Sequence, residues 1–253
     1  MSTAHNYEHI VKEALTEPGK LNQAYRAFWN YSVGNQFLTM MQLPQAEPIN
    51  TYNGWQKLGR HVKKGEKAIS LIMPVTSKDK TTNEVNGVFF VARKNWFGLS
   101  QTEGEPYVAP AIPDFDLDRA LNALEITKES FKIVDGNCQG YAKPLDKKIA
   151  ISEIASNPIK TALHEMGHVL LHGEEIVMND SPTLTRDVRE VEAELTAYIC
   201  LSVLGQTNGL EYSRGYIASW NSGNTGEKVR YGKVFAAVDK ILKAGRPQQE
   251  KGE

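Results

Sequence analysis

Apolar residues recur every three to four positions in the first part of the chain, and this spacing predicts helices. A short amphipathic helix is predicted over residues 5–17, and Pro18-Gly19 would end it. A longer helix is predicted from Leu21 to Gln42, because two neighbouring apolar stripes run along it. Such a helix would be buried over much of its surface.

Two apolar runs in the next segment predict a β-hairpin. Ala68–Val75 is apolar nearly throughout, so it is predicted to be a central strand, and Gly87–Arg93 is its expected partner. The polar residues between these runs would form a long tip. Residues 106–116 carry three prolines and no periodicity, which places a domain boundary near Ala109–Pro113.

The second half of the chain is predicted to be mainly helical, with two short strands. Helices are predicted over residues 117–127, from Asn157-Pro158 to Gly173, over Arg189–Leu204 and over Val229–Leu242, with strands at Ser130–Asp135 and Lys148–Ile151. The fold class predicted from these elements is α+β with two domains. Residues 1–110 are predicted to form an α+β module with a β-hairpin, and residues 111–253 a mainly helical domain.

Composition narrows the class of protein. Of 253 residues, 41% are apolar and 23% are charged, which is typical of globular proteins. The net charge of −1 hides a basic first half, with 12 Lys/Arg and 9 Asp/Glu in residues 1–110, and an acidic second half, with 17 and 21. No signal peptide and no long apolar stretch is recognisable, so a cytoplasmic protein without a membrane span is expected. Cys138 and Cys200 are expected to be free thiols.

The segment HEMGH carries the strongest chemical signal in the chain. His164 and His168 are four residues apart on a predicted helix, so both imidazoles face one side and can bind one metal ion. Glu165 lies beside the first imidazole and is predicted to be the catalytic general base. Zn²⁺ is the predicted cofactor from the ligand types, and other divalent metals are possible. The alternative is two surface histidines on an ordinary helix.

A catalytic zinc site needs a third protein ligand, and the segment REVEAE offers three glutamates. The valine, leucine and isoleucine positions of this helix define a predicted buried stripe. Glu192 lies about 60° from the centre of this stripe, whereas Glu194 and Glu190 lie about 100° and about 140° away. A carboxylate beside the core needs a partner, so Glu192 is predicted to be the third ligand. The alternative for Glu192 is an ion pair with Lys or Arg, and the other two glutamates are expected to face solvent or to support the ligands.

Hydrolysis of a peptide would also need a donor that stabilises the oxyanion. Tyr198, Tyr216 and His172 are candidates, and the sequence does not choose between them. His172 lies one turn beyond His168 and is expected to be a helix-end histidine near the negative end of the helix dipole, rather than a ligand.

Two parts of the chain resemble known families. HEMGHVLLHG followed by REVEAELTAY resembles the ImmA/IrrE-like zincin peptidases, in which a glutamate on the next helix follows HExxH. The segments YSVGNQFLTMMQLPQA, GWQKLGRHVKKGEKAISLIMPV and SQTEG resemble, in this order, the N-terminal domain of ArdC-type antirestriction proteins. This resemblance implies an N-terminal domain that binds single-stranded DNA (ssDNA) and a C-terminal zincin-like metallopeptidase domain. It also implies an antirestriction role, protecting plasmid or phage DNA that enters as a single strand.

The first half of the chain has the residue types that ssDNA binding needs, since phosphates attract cations and bases stack on aromatic rings. The predicted DNA-binding residues are Tyr52, Trp55, Lys57, Arg60, Lys63, Lys64 and Lys67. The alternative is a charged hairpin edge with a buried tryptophan. The small positive excess of this half predicts modest and strongly salt-dependent affinity.

Two other functions fit the same residues. A zinc endopeptidase could cleave a regulatory protein substrate, with the first half as its recognition domain. A binding protein with an inert metal site is the other alternative. Glu165 argues against an inert site, because a structural metal site has no use for a base.

Overall fold

The computed structural model describes residues 19–43, 45–78, 85–132, 138–173, 184–206, 210, 211, 213, 215, 217 and 228–247. The helix predicted over residues 5–17 and the candidate Tyr216 lie outside the described residues. The predicted α+β class is confirmed. No helix in the described part of the chain is both long and apolar enough to span a bilayer.

The described residues form two compact units. One unit comprises Gln23–Ala111, and the other contains the described residues among 19–22 and 112–247. The domain limits inferred from the sequence, 1–110 and 111–253, are not decided by this division and stay a prediction.

The N-terminal unit combines helices with a small antiparallel sheet. Its first helix, α1 (Lys20–Phe28), begins a few residues before the unit itself. The other elements are α2 (Val33–Gln42), β1 (Ile49–Thr51), α3 (Tyr52–Lys57), β2 (Arg60–Val62), β3 (Ile69–Lys78), β4 (Val85–Gly98) and β5 (Thr102–Gly104). The prediction of one helix from Leu21 to Gln42 was wrong. The helix is broken at residues 29–32, because the Ser32 hydroxyl accepts a hydrogen bond from the backbone N–H of Asn35 and caps a second helix.

The strand predicted to be central, Ala68–Val75, instead lies at the edge of the sheet that the described residues form. The main sheet has the order β1-β4-β3, and α2 covers the outer edge of β3. The Asn35 amide bonds the backbone N–H and C=O of Ile72 at 2.9 and 2.8 Å. The Gln42 amide does the same to Ser70, at 2.8 Å for each bond. These side chains satisfy the edge as a neighbouring strand would, so an edge strand can remain apolar.

The C-terminal unit places helices beside a second small sheet. Its elements are α4 (Leu117–Ala123), β6 (Thr127–Lys128), β7 (Gly140–Lys143), β8 (Lys148–Ile151), α5 (Pro158–His172), α6 (Arg186–Val203) and α7 (Tyr231–Ala244). The sheet has the order β6-β8-β7, with β6 parallel and β7 antiparallel to β8. The strand predicted at Ser130–Asp135 was wrong over its described residues 130–132, because β6 lies earlier.

The helix predicted to begin at Asn157-Pro158 is α5, and it carries HEMGH. The Asn157 side chain accepts a hydrogen bond from the backbone N–H of Lys160 at 3.0 Å, and Pro158 occupies the first helical position. The helix α6 begins at Arg186 rather than at the predicted Arg189. Its N-cap is Thr185, whose hydroxyl accepts from a backbone N–H in the first turn.

Candidate metal centre and nucleic-acid surface

The glycine of HEMGH lets the helices α5 and α6 approach closely. A Cβ atom at Gly167 would lie 3.1 Å from the Cα atom of Ala193 and 3.3 Å from its carbonyl oxygen. Any larger side chain would need one helix to move away from the other. This approach brings carboxylates of α6 next to the two imidazoles of α5.

Three donor atoms converge between these helices. The Nε2 atoms of His164 and His168 lie 3.2 Å apart, and Oε2 of Glu190 lies 3.4 and 3.6 Å from them. A tetrahedral zinc ion with bonds of about 2.0–2.1 Å separates its ligand atoms by about 3.3 Å. The separations of the three donor atoms therefore match those of ligands around one divalent cation, and their donor types suit zinc.

The prediction of Glu192 as the third ligand does not fit this structure. Glu192 is 0% exposed, and Arg230 binds both of its carboxylate oxygens at 2.7–3.0 Å. Its Oε2 atom also lies 3.1 Å from Nε2 of His172. The carboxylate of Glu192 is thus paired with an arginine, which was the alternative that the sequence left open. Glu190, expected at the surface or in support, occupies the position beside the imidazoles instead.

The physical reason for this error is that α6 is buried nearly all round. Every residue from Val191 to Val203 is buried. An apolar stripe on such a helix marks only its most apolar side and does not mark the side facing α5. The first turns of α6 retain some exposure, and there Glu190 has a side chain 35% exposed.

Glu194 contacts His164 at the ring nitrogen that does not face His168. Its Oε2 atom lies 3.0 Å from Nδ1 of His164, and its Oε1 atom lies 2.8 Å from Nζ of Lys160. A proton on Nδ1 of His164 would satisfy this carboxylate and leave Nε2 directed at the metal position. Such carboxylate–histidine pairs orient ligands in many metal sites.

The pKa values in this cluster reflect burial and close charges. Burial opposes protonation of His164, but its bonds with Glu190 and Glu194 outweigh burial and raise its pKa to about 9. Contacts with the two imidazoles lower the pKa of Glu190. Burial raises the pKa of Glu165, which makes its carboxylate a stronger base than that of an exposed glutamate.

A cleft of about 1110 Å³ opens beside the donor atoms, lined by β7, α5 and the first turns of α6. Among the described residues β7 pairs only with β8, so its other edge has no strand partner. A Cβ atom at Gly140 on β7 would lie 2.5 Å from Cγ2 of Thr161 and 3.0 Å from Oε1 of Glu165. Glycine therefore leaves room for the carboxylate of Glu165 at the wall of the cleft.

The two described candidates for an oxyanion donor, Tyr198 and His172, are both buried. Tyr198 is 3% exposed on α6. His172 is the last residue of α5, as expected for a helix-end histidine, and it lines the cleft. Both of its ring nitrogens are engaged, one with Glu192 and the other with His168.

Two of the predicted DNA-binding residues are structural. Trp55 is 0% exposed, and its Nε1 donates to the carbonyl oxygen of Phe97 at 2.8 Å. The guanidinium of Arg60 is held by Thr102 and by the carbonyls of Gly104 and Glu105, which fastens β2 to β5. The buried tryptophan that was the alternative interpretation is therefore the correct one, and the half-exposed Arg60 already holds β2 and β5 together.

The other predicted DNA-binding residues lie at the surface. Tyr52 is 45% exposed, and its ring meets Phe97 edge-on with 6.3 Å between ring centroids. Lys63 is exposed and donates to the carbonyl of Ser100 at 2.8 Å. The other lysines predicted to bind DNA are also exposed, namely Lys57, Lys64 and Lys67.

Exposed aromatic residues on β4 were missed from the sequence, and as neighbours on a strand Phe89 and Phe90 lie on opposite faces of the sheet. Val88, Phe89 and Phe90 on β4 are 53%, 60% and 73% exposed, and Arg93 and Lys94 of the same strand are also exposed. The run GVFFVAR was interpreted only as a hairpin strand. The available signal was length, since a long hairpin with a polar tip extends beyond the helices that could cover it.

Comparison with known proteins identifies the N-terminal unit. Residues 7–106 match the family described as the N-terminal domain of anti-restriction factor ArdC. The N-terminal part of the chain is therefore similar to an ArdC N-terminal domain. The resemblance of the first half of the chain to ArdC-type proteins, seen in the sequence, is therefore confirmed.

The fold is also that of ArdC. The metal-free crystal structure of the antirestriction ArdC protein from the R388 plasmid aligns with a TM-score of 0.52 and 20% identity, covering 94% of each chain. Its Mn(II)-bound structure aligns with a TM-score of 0.57 and 17% identity, covering 98% of this chain and 100% of that one. An uncharacterized Bacillus anthracis protein is 27% identical over 251 residues, and the match covers 76% of this chain but only 41% of that protein.

Proposed function

We propose that this chain is an antirestriction protein that binds ssDNA through its N-terminal unit and holds a divalent metal in its C-terminal unit. The ArdC-type domain supports the antirestriction role. The convergence of His164, His168 and Glu190 carries the metal site, and zinc is the metal their donor types favour. The Mn(II)-bound ArdC structure shows that a protein of this fold takes up a divalent metal.

The chemistry proposed for this site is peptide hydrolysis. A bound divalent metal would activate a water and polarise a substrate carbonyl. Glu165 would accept the proton of the attacking water, a role to which its buried carboxylate with a raised pKa is suited. The edge of β7 that has no strand partner among the described residues offers backbone groups along which an extended peptide can bind.

The cleft also favours the second candidate, a zinc endopeptidase that cleaves a regulatory protein. Its volume of about 1110 Å³ is enough for several residues of an extended chain. In that case the N-terminal unit would recognise the protein substrate rather than DNA. The two candidates share the metal site and differ in what the N-terminal unit binds.

Metal analysis of the full-length protein and of the Glu165→Gln variant tests the site. We expect both proteins to bind about one zinc ion, and only wild type to cleave a casein or peptide-library substrate. Wild type without bound metal would contradict the site. Equal cleavage by both proteins would contradict the role of Glu165 as the base.

The DNA proposal is tested with the exposed lysines of the N-terminal unit. Lys64→Ala with Lys67→Ala should weaken binding to a labelled oligonucleotide and reduce the salt-dependence slope by about 1.4, since each ssDNA phosphate contact contributes about 0.7. The matched control is Lys240→Ala with Lys243→Ala, which removes two exposed charges from α7. An equal loss in both pairs would indicate a non-specific charge effect. Conjugative transfer into a restricting host, with and without the protein, measures the antirestriction role.

A further inference from the structure

A chain of side chains runs from the candidate ligand His168 into the interior of the C-terminal unit. Arg230 donates to Oε1 of Glu192 from its backbone N at 2.8 Å and from Nε at 3.0 Å, and to Oε2 from its terminal NH2 at 2.7 Å. Nε2 of His172 lies 3.1 Å from Oε2 of Glu192. Nδ1 of His172 lies 3.0 Å from Nδ1 of His168.

The hydrogen bonds in this chain have a defined direction. The carboxylate of Glu192, held by Arg230, can only accept, so Nε2 of His172 must carry a proton. A neutral imidazole protonated at Nε2 has a lone pair at Nδ1. The contact between the two Nδ1 atoms then requires His168 to donate. A neutral His168 with its proton on Nδ1 keeps a lone pair on Nε2, which faces His164 and Glu190.

We propose that Arg230, Glu192 and His172 are positioning residues, which fix the tautomer and ring orientation of His168 and thereby increase metal affinity. The inference rests on the proposed metal site. Ligating histidines commonly bond a carboxylate or a carbonyl through their second nitrogen. His164 contacts a carboxylate directly, that of Glu194. His168 is instead linked to the carboxylate of Glu192 through His172.

The tautomers can be measured without any metal. Long-range ¹H–¹⁵N spectra of the full-length metal-free protein, at a pH where the rings are neutral, report which ring nitrogen carries the proton. We expect the Nδ1–H tautomer for His168 and the Nε2–H tautomer for His172. An Nε2–H tautomer on His168 would overturn the proposal.

Two variants test the effect on affinity. Glu192→Gln presents an amide NH2 to His172, which should reverse the direction of the chain and move the proton of His168 to Nε2. His172→Phe keeps a ring of similar size but removes the acceptor. Zn²⁺ affinity, measured by competition with a chromophoric chelator, should fall about 10- to 100-fold in each variant.

Ser202→Ala is the matched control, because Ser202 lies on α6 like Glu192. The buried Ser202 hydroxyl makes no hydrogen bond among the described residues, so its removal should leave Zn²⁺ affinity unchanged. If both variants bind Zn²⁺ as tightly as wild type and His168 keeps its tautomer, the positioning role is wrong. If wild type binds no Zn²⁺, the metal site itself is wrong, and the tautomers of the wild-type protein still decide the direction of the chain.

Discussion

Replacing Glu192 and Glu190 separately should distinguish a carboxylate that holds the fold from one that binds metal. Glu192 is 0% exposed and accepts hydrogen bonds from Arg230 and His172. Glu192→Ala leaves the guanidinium of Arg230 without this carboxylate. Glu190→Ala instead removes a side chain that is 35% exposed, so water can replace much of what is lost.

The expected magnitudes differ clearly. Removing one partner of a buried ion pair costs about 3–5 kcal/mol. The side chain of Arg230 is 23% exposed, so water can recover part of the loss. We therefore expect the low end for Glu192→Ala, about 3 kcal/mol, which corresponds to a fall in Tm of about 6–12 °C. Glu190→Ala should change the metal-free stability by less than about 1 kcal/mol.

Stabilisation by added metal should rank the two variants in the opposite order. A metal at 100 times its Kd stabilises the folded state by about 2.7 kcal/mol. Glu190→Ala lacks one of the three donors and should lose most of this stabilisation. Glu192→Ala keeps all three donors and should still show a rise in Tm at a sufficiently high metal concentration.

Thermal unfolding followed by circular dichroism, with excess chelator or with added Zn²⁺, measures both effects. Equal metal-free Tm values for Glu192→Ala and wild type would refute the structural role of Glu192. If added Zn²⁺ raises the Tm of Glu190→Ala by as much as it raises that of wild type, the assignment of Glu190 as a ligand is refuted. The two results are independent, so either assignment can fail alone.

Three further predictions concern the packing around the site and the N-terminal sheet. Gly167→Val should push α5 and α6 apart and lower both Tm and Zn²⁺ affinity, whereas Gly232→Ala, with open space around it, should leave Zn²⁺ affinity unchanged and should not lower Tm. Trp55→Ala should reduce the free energy of unfolding of the N-terminal unit by about 3–5 kcal/mol in denaturant titrations, because it empties a fully buried site. Asn35→Ala should cost about 1–3 kcal/mol by exposing the edge of β3 and should increase aggregation measured by light scattering, while the exposed Asn53→Ala should do neither.

The sequence was sufficient to predict the elements that depend on local signals. The helix beginning at Asn157-Pro158 depends on a cap and a proline that lie next to each other in the chain. The position of β3 in its sheet could not be predicted from its apolar pattern. That position depends on amide side chains of α2, which are far from β3 in sequence and replace a neighbouring strand.

The candidate site was predictable to the extent that one helix determines it. The spacing of His164 and His168 guarantees that both imidazoles face one side of α5. The third donor depends on how a second helix is rotated against the first. The contact of Gly167 with Ala193 and the ion pair of Glu192 with Arg230 set this rotation, and neither can be read from the pattern of α6 alone.

The same distinction applies to the proposed DNA surface. Aromatic and basic residues close together in sequence are compatible with a stacking surface and equally with a core residue beside a charged turn. In this structure Trp55 belongs to the core, and Tyr52 beside it in α3 is exposed. Bases can stack only on exposed rings, so Tyr52 and the exposed pair Phe89 and Phe90 are the rings that could contact ssDNA. Tyr52→Ser and Phe90→Ser should therefore separate two candidate surfaces in a binding assay, and loss of affinity in neither variant would remove base stacking on these two rings from the proposal.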